Sequence, residues 1–125
     1  MFKIDPETKQ ISITRGDTGS IAVDVKNNDG TDYVFKINDV VRFNVFKKNG
    51  CNCVVLSKES VVDTETTSVN ITLNKQDTKI GGVINRPSEY WYEVELNPDT
   101  TPQTIIGYDE DGAKIFMLYP EGSEE

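Results

Sequence analysis

The sequence has no histidine, two cysteines, two methionines and one tryptophan among its 125 residues. Histidine is the commonest general base near neutral pH and a frequent zinc ligand, so its absence removes the usual partner of a catalytic nucleophile. The two cysteines, Cys51 and Cys53, are one residue apart, which is a poor frame for a disulfide and supplies too few thiolates to enclose zinc. We therefore expect two reduced thiols, no metal and no cofactor.

Basic charge is also scarce. Thirteen Lys and Arg stand against twenty-one Asp and Glu, which gives a formal net charge of −8. A surface of this sign repels phosphate backbones and anionic lipid headgroups, because binding to either depends on basic residues. Nucleic acid and membrane are therefore not expected as partners, and the excess of acid is expected to keep the protein soluble.

Long apolar runs are missing as well. No stretch approaches the roughly 20 apolar residues that cross a membrane. Residues 1–10 contain neither the apolar core nor the cleavage site of a secretory signal. Synthesis and residence in a cytoplasm are the expectation.

What the sequence does contain is hydrophobicity with a period of two. Apolar residues recur at every second position over most of the chain, which is the spacing of strands with one buried and one wet face. Turn signals such as Asn27-Asn28-Asp29-Gly30 separate these runs at intervals of about 8 to 12 residues. The runs are 11–13, 21–25, 33–37, 41–45, 53–56, 69–73, 90–96, 103–108 and 113–119. They predict an all-β chain of about eight or nine strands in a single antiparallel β-sandwich, immunoglobulin-like or similar.

One segment has the pattern of a helix. Asn74 is a typical helix cap, Asp77 follows three residues later, and Gly81 is a typical stop, so a short helical turn is predicted near 75–80. We expect the chain to divide into an N-terminal extension or edge strand at 1–8, the sandwich domain at 9–119 and a flexible acidic tail at 120–125.

Two features are similar to catalytic or metal sites. Glu93 and Glu95 share one face of a predicted strand at about 7 Å, a spacing that glycosidase carboxylates also show. Alternating Glu on the wet face of a strand is far commoner, so no catalytic residue and no enzymatic activity are expected. The turns 27–30 and 109–112 are similar to calcium loops but lack acids at the defining EF-hand positions, which leaves only a weak surface site at Asp109 and Asp111 as an alternative.

The tripeptide Arg15-Gly16-Asp17 is the sequence that integrins recognise, yet three common residues also occur together by chance. A strand end followed by a tight turn accounts for it locally. In that turn Gly16 takes the positive φ, and Asp17 and Thr18 accept backbone hydrogen bonds. We therefore interpret Arg15 to Thr18 as a structural turn.

Four aromatic residues are candidates for an interface or a ligand platform: Phe46, Trp91, Tyr108 and Tyr119. Phe46 and Trp91 fall on predicted strands that have apolar residues on both alternating faces. A single core has no obvious place for them, so either residue could anchor a protein contact. Trp91, Tyr108 and Tyr119 are alternatively able to line a sugar-binding face. Burial of Trp91 in a second core layer stays open as a third interpretation.

The order of several motifs resembles that of a protein family. A strand runs into Arg15-Gly16-Asp17-Thr18, an Asp-initiated strand segment lies at 38–45, a segment at 71–78 ends in Asp77-Thr78, and a Tyr-rich strand follows at 90–96. Over residues 9–119 the chain resembles virion proteins of Gram-positive phages and prophages, and is similar to the N-terminal domain of siphophage baseplate upper proteins. Members of that family usually continue into a helical or receptor-binding region, whereas this sequence stops at Glu125, which favours a small ring, collar, baseplate or decoration component.

The resemblance implies a structural component of a virion, an adaptor-type domain of the tail or baseplate that acts through protein–protein contacts. Its implied partners are other virion proteins and its own copies in a ring-type homo-oligomer. Its implied location is the virion, after synthesis and assembly in a bacterial cytoplasm. A carbohydrate-binding module with an aromatic sugar platform is the first alternative, and a capsid decoration or head-fibre protein is the second.

Overall fold

The computed structural model describes residues 1–27, 29–47, 53–82, 84–107, 110 and 112–121. Over these residues the chain is all-β, with nine strands and no helix. The strands are β1 (Phe2–Ile4), β2 (Ile11–Thr14), β3 (Gly19–Val23), β4 (Val40–Lys47), β5 (Val54–Val61), β6 (Val69–Leu73), β7 (Ser88–Leu96), β8 (Gln103–Ile106) and β9 (Lys114–Tyr119). The prediction of an all-β chain of eight or nine strands is confirmed.

The strands form one large and one small sheet. Seven strands make the larger sheet in the order β1-β2-β9-β7-β4-β5, with β8 paired to β7, while β3 and β6 make a separate two-stranded sheet. The expectation of a purely antiparallel arrangement is wrong, because β2 and β9 pair in parallel. Nearly the whole chain separates these two strands, so no tight turn forces them to run in opposite directions.

A single hydrophobic core joins the two sheets, and the period of two explains it. Along β7, Tyr92, Val94 and Leu96 are buried, and the residues between them are only half-buried. The buried hydrophobic side chains of the larger sheet are Ile11, Ile13, Val41, Phe43, Val45, Tyr92, Val94, Leu96, Phe116 and Leu118. They pack in one cluster with Ile21, Val23, Val69, Ile71 and Leu73 of the smaller sheet.

The segment 33–37 is not a strand, although its alternation predicts one. Phe35 is fully buried, but Ile37 is 60% exposed. The Asp39 carboxylate accepts the Lys36 N–H at 2.9 Å, so the backbone turns locally instead of joining a ladder. Phe35 keeps only an isolated bridge to the loop before β6.

The helical turn predicted near 75–80 is also wrong. The N–H of Asn74 donates to the Asp77 carboxylate at 2.9 Å, and the N–H of Asp77 donates to the Asn74 side-chain oxygen at 3.0 Å, as in a helix cap. Yet the segment continues only as hydrogen-bonded turns, and Gly81 has a positive φ of 68°. The stretch between Leu73 and Gly81 is too short to offset the cost of helix nucleation.

Cys53 is disulfide-bonded and not the reduced thiol that its spacing suggests. The expectation assumed an extended strand at this position, where alternate Cα atoms lie far apart. Cys53 precedes β5, which begins at Val54, so that geometry does not apply to it. Cys51, Asp109 and Asp111 lie outside the described residues, as does the predicted acidic tail from residue 122 onward.

Tyr92 connects the core to the turn between β1 and β2. Its side chain is 3% exposed, and its hydroxyl donates a hydrogen bond to the backbone carbonyl of Lys9. Burial raises the pKa of Tyr92 to about 12, because the phenolate loses hydration in the core.

We expect the stabilising effect of Tyr92 to disappear in alkali. The folded pKa of about 12 lies above the ordinary value of 10.0, so the contribution is complete below pH 10 and is lost as the pH rises toward 12. Tyr92→Phe should therefore be less stable than wild type at pH 8, by about 0.5–1.5 kcal/mol for the lost hydrogen bond. Urea unfolding at increasing pH should show this gap closing, and a constant gap would contradict the assignment.

Candidate functional site

The outward face of the larger sheet carries an apolar row. Val54 of β5 pairs with Phe46 of β4, Phe46 pairs with Trp91 of β7, and Trp91 pairs with Ile115 of β9. Directly paired residues of neighbouring strands point to the same face, so the four side chains lie side by side across four strands. We call Val54, Phe46, Trp91 and Ile115 the apolar row.

The apolar row is long enough to form a contact. Three inter-strand spacings of about 4.8 Å give a length of about 14 Å. Val54 is 54% exposed, and Phe46, Trp91 and Ile115 are half-buried. Met117, the next outward residue of β9, is half-buried as well and extends the apolar surface along that strand. Contiguous apolar surface of this kind is typical of contacts with another molecule.

Carboxylates border the apolar row on β7. Glu89 and Glu93 flank Trp91 along the strand, and Glu95 follows on the same face. Burial and the neighbouring charge of Glu95 raise the pKa of Glu93, and a hydrogen bond with Asn44 partly offsets that rise. Asn44 is the register partner of Glu93 on β4 and is itself buried. The face therefore holds a partly desolvated negative charge beside its apolar side chains.

The next outward position on β4 is Arg42, and acids surround it. Its guanidinium forms ion pairs with Glu59 of β5 and, at 2.9 Å, with Asp99 of the loop after β7. Glu95 is its register partner on β7. These carboxylates offset the charge of Arg42, so the described residues that border the apolar row are acidic overall.

The structure brings together some of the four predicted aromatic residues. Phe46 and Trp91 are neighbours in register at the centre of the apolar row. Tyr119 is half-buried on the same face but lies four residues beyond Ile115, about 13 Å along β9. Tyr108 lies outside the described residues.

Val54 and Ile115 were not among the predicted site residues. The sequence contains a signal for Ile115, because apolar residues occupy both alternating faces of the predicted strand 113–119. For Val54 it was weaker, since a bulge in the β4–β5 ladder at Val45/Phe46 determines which residue of β5 lies opposite Phe46.

The segment from Arg15 to Thr18 forms a turn that interlocks with the turn after β6. The N–H of Gly16, whose φ is 88°, donates to the Thr78 hydroxyl at 2.9 Å, and that hydroxyl donates to the Asp17 carbonyl at 2.8 Å. Arg15 donates to the Gly81 carbonyl at 3.1 Å. Thr78 is completely buried, so its hydroxyl joins two turns that are distant in sequence.

The exposure of Arg15 and Asp17 decides whether a receptor is able to read the integrin-type tripeptide. Arg15 is only 7% exposed, whereas Asp17 is partly exposed and Thr18 is exposed. A receptor that reads both charges needs the guanidinium at the surface. The arrangement accordingly favours a structural role for the turn.

Among the described residues, no three or more acids, cysteines or histidines are grouped so as to hold a metal ion. In the same part of the chain, no helix is long and apolar enough to cross a membrane. Comparison of the chain with protein-family models, with curated proteins and with solved structures finds no match.

Removing the Thr78 hydroxyl should destabilise the protein. Thr78→Val keeps the shape of the side chain but leaves the Gly16 N–H and the Asp17 carbonyl without their partner, which should cost about 1–3 kcal/mol in urea unfolding. Thr78→Ser should recover most of this loss. Thr72→Val, at an exposed position of β6, is the matched control and should change stability by less than about 0.5 kcal/mol. Equal effects of the two valine substitutions would contradict the interlocked turns.

Neutralising Glu93 should stabilise the isolated protein. Its folded pKa is raised, so its favourable contribution is present at low pH and is lost as the pH rises through that folded value. Glu93→Gln cannot ionise, so we expect a higher melting temperature than wild type at pH 7 and a difference that vanishes below pH 4.5, the ordinary carboxyl value. Glu65→Gln, in the exposed loop before β6, controls for the change in net charge. A lower melting temperature for Glu93→Gln at pH 7 would argue against this environment.

Proposed function

We propose that the protein is a structural component of a bacteriophage or prophage virion, an adaptor-type domain of the tail or baseplate that docks its apolar row on another virion protein. The observation that carries the docking role is the alignment of four apolar side chains across β5, β4, β7 and β9. The virion setting rests on the resemblance over residues 9–119. Localisation in the particle follows from that setting.

The shared core of the two sheets supports a β-sandwich, immunoglobulin-like or similar, in which the two-stranded sheet faces the larger one. Such a sandwich leaves the outward face of the larger sheet available for assembly contacts.

A contact through this face fits better than a contact through the ends of the larger sheet. At one end β1 has three residues. At the other end β5 directs Lys58 toward the core side, where its ammonium lies 3.0 Å from the Asp77 carboxylate. Short edge strands and inward-pointing charges both hinder the pairing of one sheet with another.

The acidic border indicates the chemistry of the partner. Two copies packed face to face about a twofold axis would bring Glu93 and Glu95 close to their own equivalents, which costs free energy in a desolvated interface. A partner surface with apolar residues ringed by Lys or Arg avoids this cost. In a ring of identical copies, the same logic requires that this face meet a different surface of the next copy.

The carbohydrate-binding alternative has weaker support from the geometry. Ile115 and Met117 lie between Trp91 and Tyr119 on the outward face, so the two rings do not form a continuous platform. Quenching of the single tryptophan by glycans would favour that alternative over assembly. A capsid decoration protein would use the same kind of protein contact at another position in the particle.

The docking proposal predicts different effects for two matched substitutions in β5. Val54→Glu places a charge in the apolar row, whereas Val61→Glu places the same charge on the same face at the other end of the strand. The two valines are 54% and 59% exposed, so neither change should unfold the protein. In particles produced by the encoding phage or prophage, mass spectrometry should find the chain, and Val54→Glu should lower its incorporation at least tenfold relative to Val61→Glu.

Absence of the wild-type chain from purified particles would overturn the virion assignment. Equal incorporation of the two variants would overturn the role of the apolar row while leaving the virion assignment standing. Urea unfolding of both purified variants provides the check that their stabilities match.

A further inference from the structure

A cleft opens between β3 and the larger sheet. Its volume is about 360 Å³, within the range of roughly 300–1,000 Å³ at which pockets bury a ligand. The buried residues Ile11, Ile21 and Tyr92 lie among its lining residues, and Ile4 contributes a side chain that is 37% exposed. The remaining lining residues are Lys9, Ala22, Asp24, Val25, Lys26, Ile105 and Ile106.

The cleft lies where one sheet is incomplete. Two strands face a sheet of seven, and within the described part of the chain β3 pairs on one side only, with β6. Ile21 and Ala22 of β3 line the cleft, so the cavity adjoins this strand. The open side of a strand presents unpaired N–H and C=O groups at alternate residues, which are a template for another strand.

We propose that this cleft receives an extended segment of a partner protein, which pairs with the open edge of β3 and inserts alternate aliphatic side chains between the sheets. Strand addition of this kind combines main-chain hydrogen bonds with pockets for every second side chain. The proposal goes beyond the docking of the apolar row, and the two surfaces share no residue.

The lining determines the chemistry of the segment. Ile4, Ile105 and Ile106 offer aliphatic contacts. The Tyr92 hydroxyl already donates a hydrogen bond to the Lys9 carbonyl, so it needs no polar partner from the ligand. At the rim, the Lys26 ammonium is ion-paired with Asp32. Lys9 and Asp24 carry opposite charges, so the rim favours neither an acidic nor a basic segment. Branched aliphatic side chains at alternate positions fit these conditions best.

The first test uses a synthetic peptide with alternating residues, acetyl-Lys-Thr-Ile-Thr-Val-Thr-Ile-Thr-Lys-amide, and the wild-type protein. We expect saturable shifts of the methyl signals of Ile4, Ile105 and Ile106 in NMR spectra, and slower hydrogen exchange of β3 amides. The control is the same peptide with N-methyl groups on its three central residues, which keeps charge and side chains but blocks pairing. It should bind at least tenfold more weakly.

The second test uses a matched pair of isoleucine substitutions. Ile4→Glu introduces a charge at the cleft and should weaken peptide binding at least tenfold, whereas Ile37→Glu, at an exposed isoleucine that does not line the cleft, should leave it unchanged. The wild-type comparison of the two peptides stands even if Ile4→Glu proves unstable. Val54→Glu should also bind the peptide normally, which separates this site from the apolar row.

Three results would overturn the proposal. The first is no saturable shift at millimolar peptide. The second is equal binding of the N-methylated peptide, which would indicate a pocket for apolar small molecules. The third is protection of β3 amides that rises with protein concentration in the absence of peptide, which would assign the edge to a second copy of this chain.

Discussion

The register of β7 is the constraint on which both the core and the candidate docking face depend. This strand pairs with β4 on one side and with β9 and β8 on the other. Burial of Tyr92, Val94 and Leu96 fixes which of its faces points inward. A slip by one residue would exchange the two faces and bring Glu93 and Glu95 into the core. The hydrophobic effect that builds the interior thus also places Trp91 and the acids outside.

The motifs that carry the family resemblance meet in space as two pairs. The turn at 15–18 is joined to Asp77-Thr78 through the Thr78 hydroxyl. The segments 38–45 and 90–96 lie largely within β4 and β7, which are neighbours in the larger sheet. These contacts are internal, so they account for the motifs as requirements of folding. They place no constraint on the surface that a partner touches, and for this reason the proposed docking role rests on the apolar row and its acidic border.

Period-two hydrophobicity was sufficient to predict the all-β class, the approximate number of strands and most of the core. It failed where a hydrogen bond to a polar side chain sets the local backbone conformation. Asp39 has this effect beside the segment 33–37, and Asn74 and Asp77 have it after β6. The parallel pairing of β2 with β9 depends on the path of the whole chain, and no local pattern encodes it. Phe46 and Trp91 could be chosen as site residues because each alternates with the core residues of its strand and therefore falls on the opposite face. Their alignment with Val54 and Ile115 required the register of three ladders.

The two proposed surfaces lie on opposite sides of a single strand. Trp91 belongs to the apolar row and Tyr92 to the lining of the cleft, and consecutive residues of a strand point to opposite faces. Two partners would therefore approach the molecule from different sides without competing for space. A domain that holds one protein on its outward face and a strand of another in its cleft links the two partners. Binding at one surface then raises the effective concentration of the second partner at the other surface, so neither interaction has to be tight alone. This property suits an adaptor in an assembly with many repeated contacts.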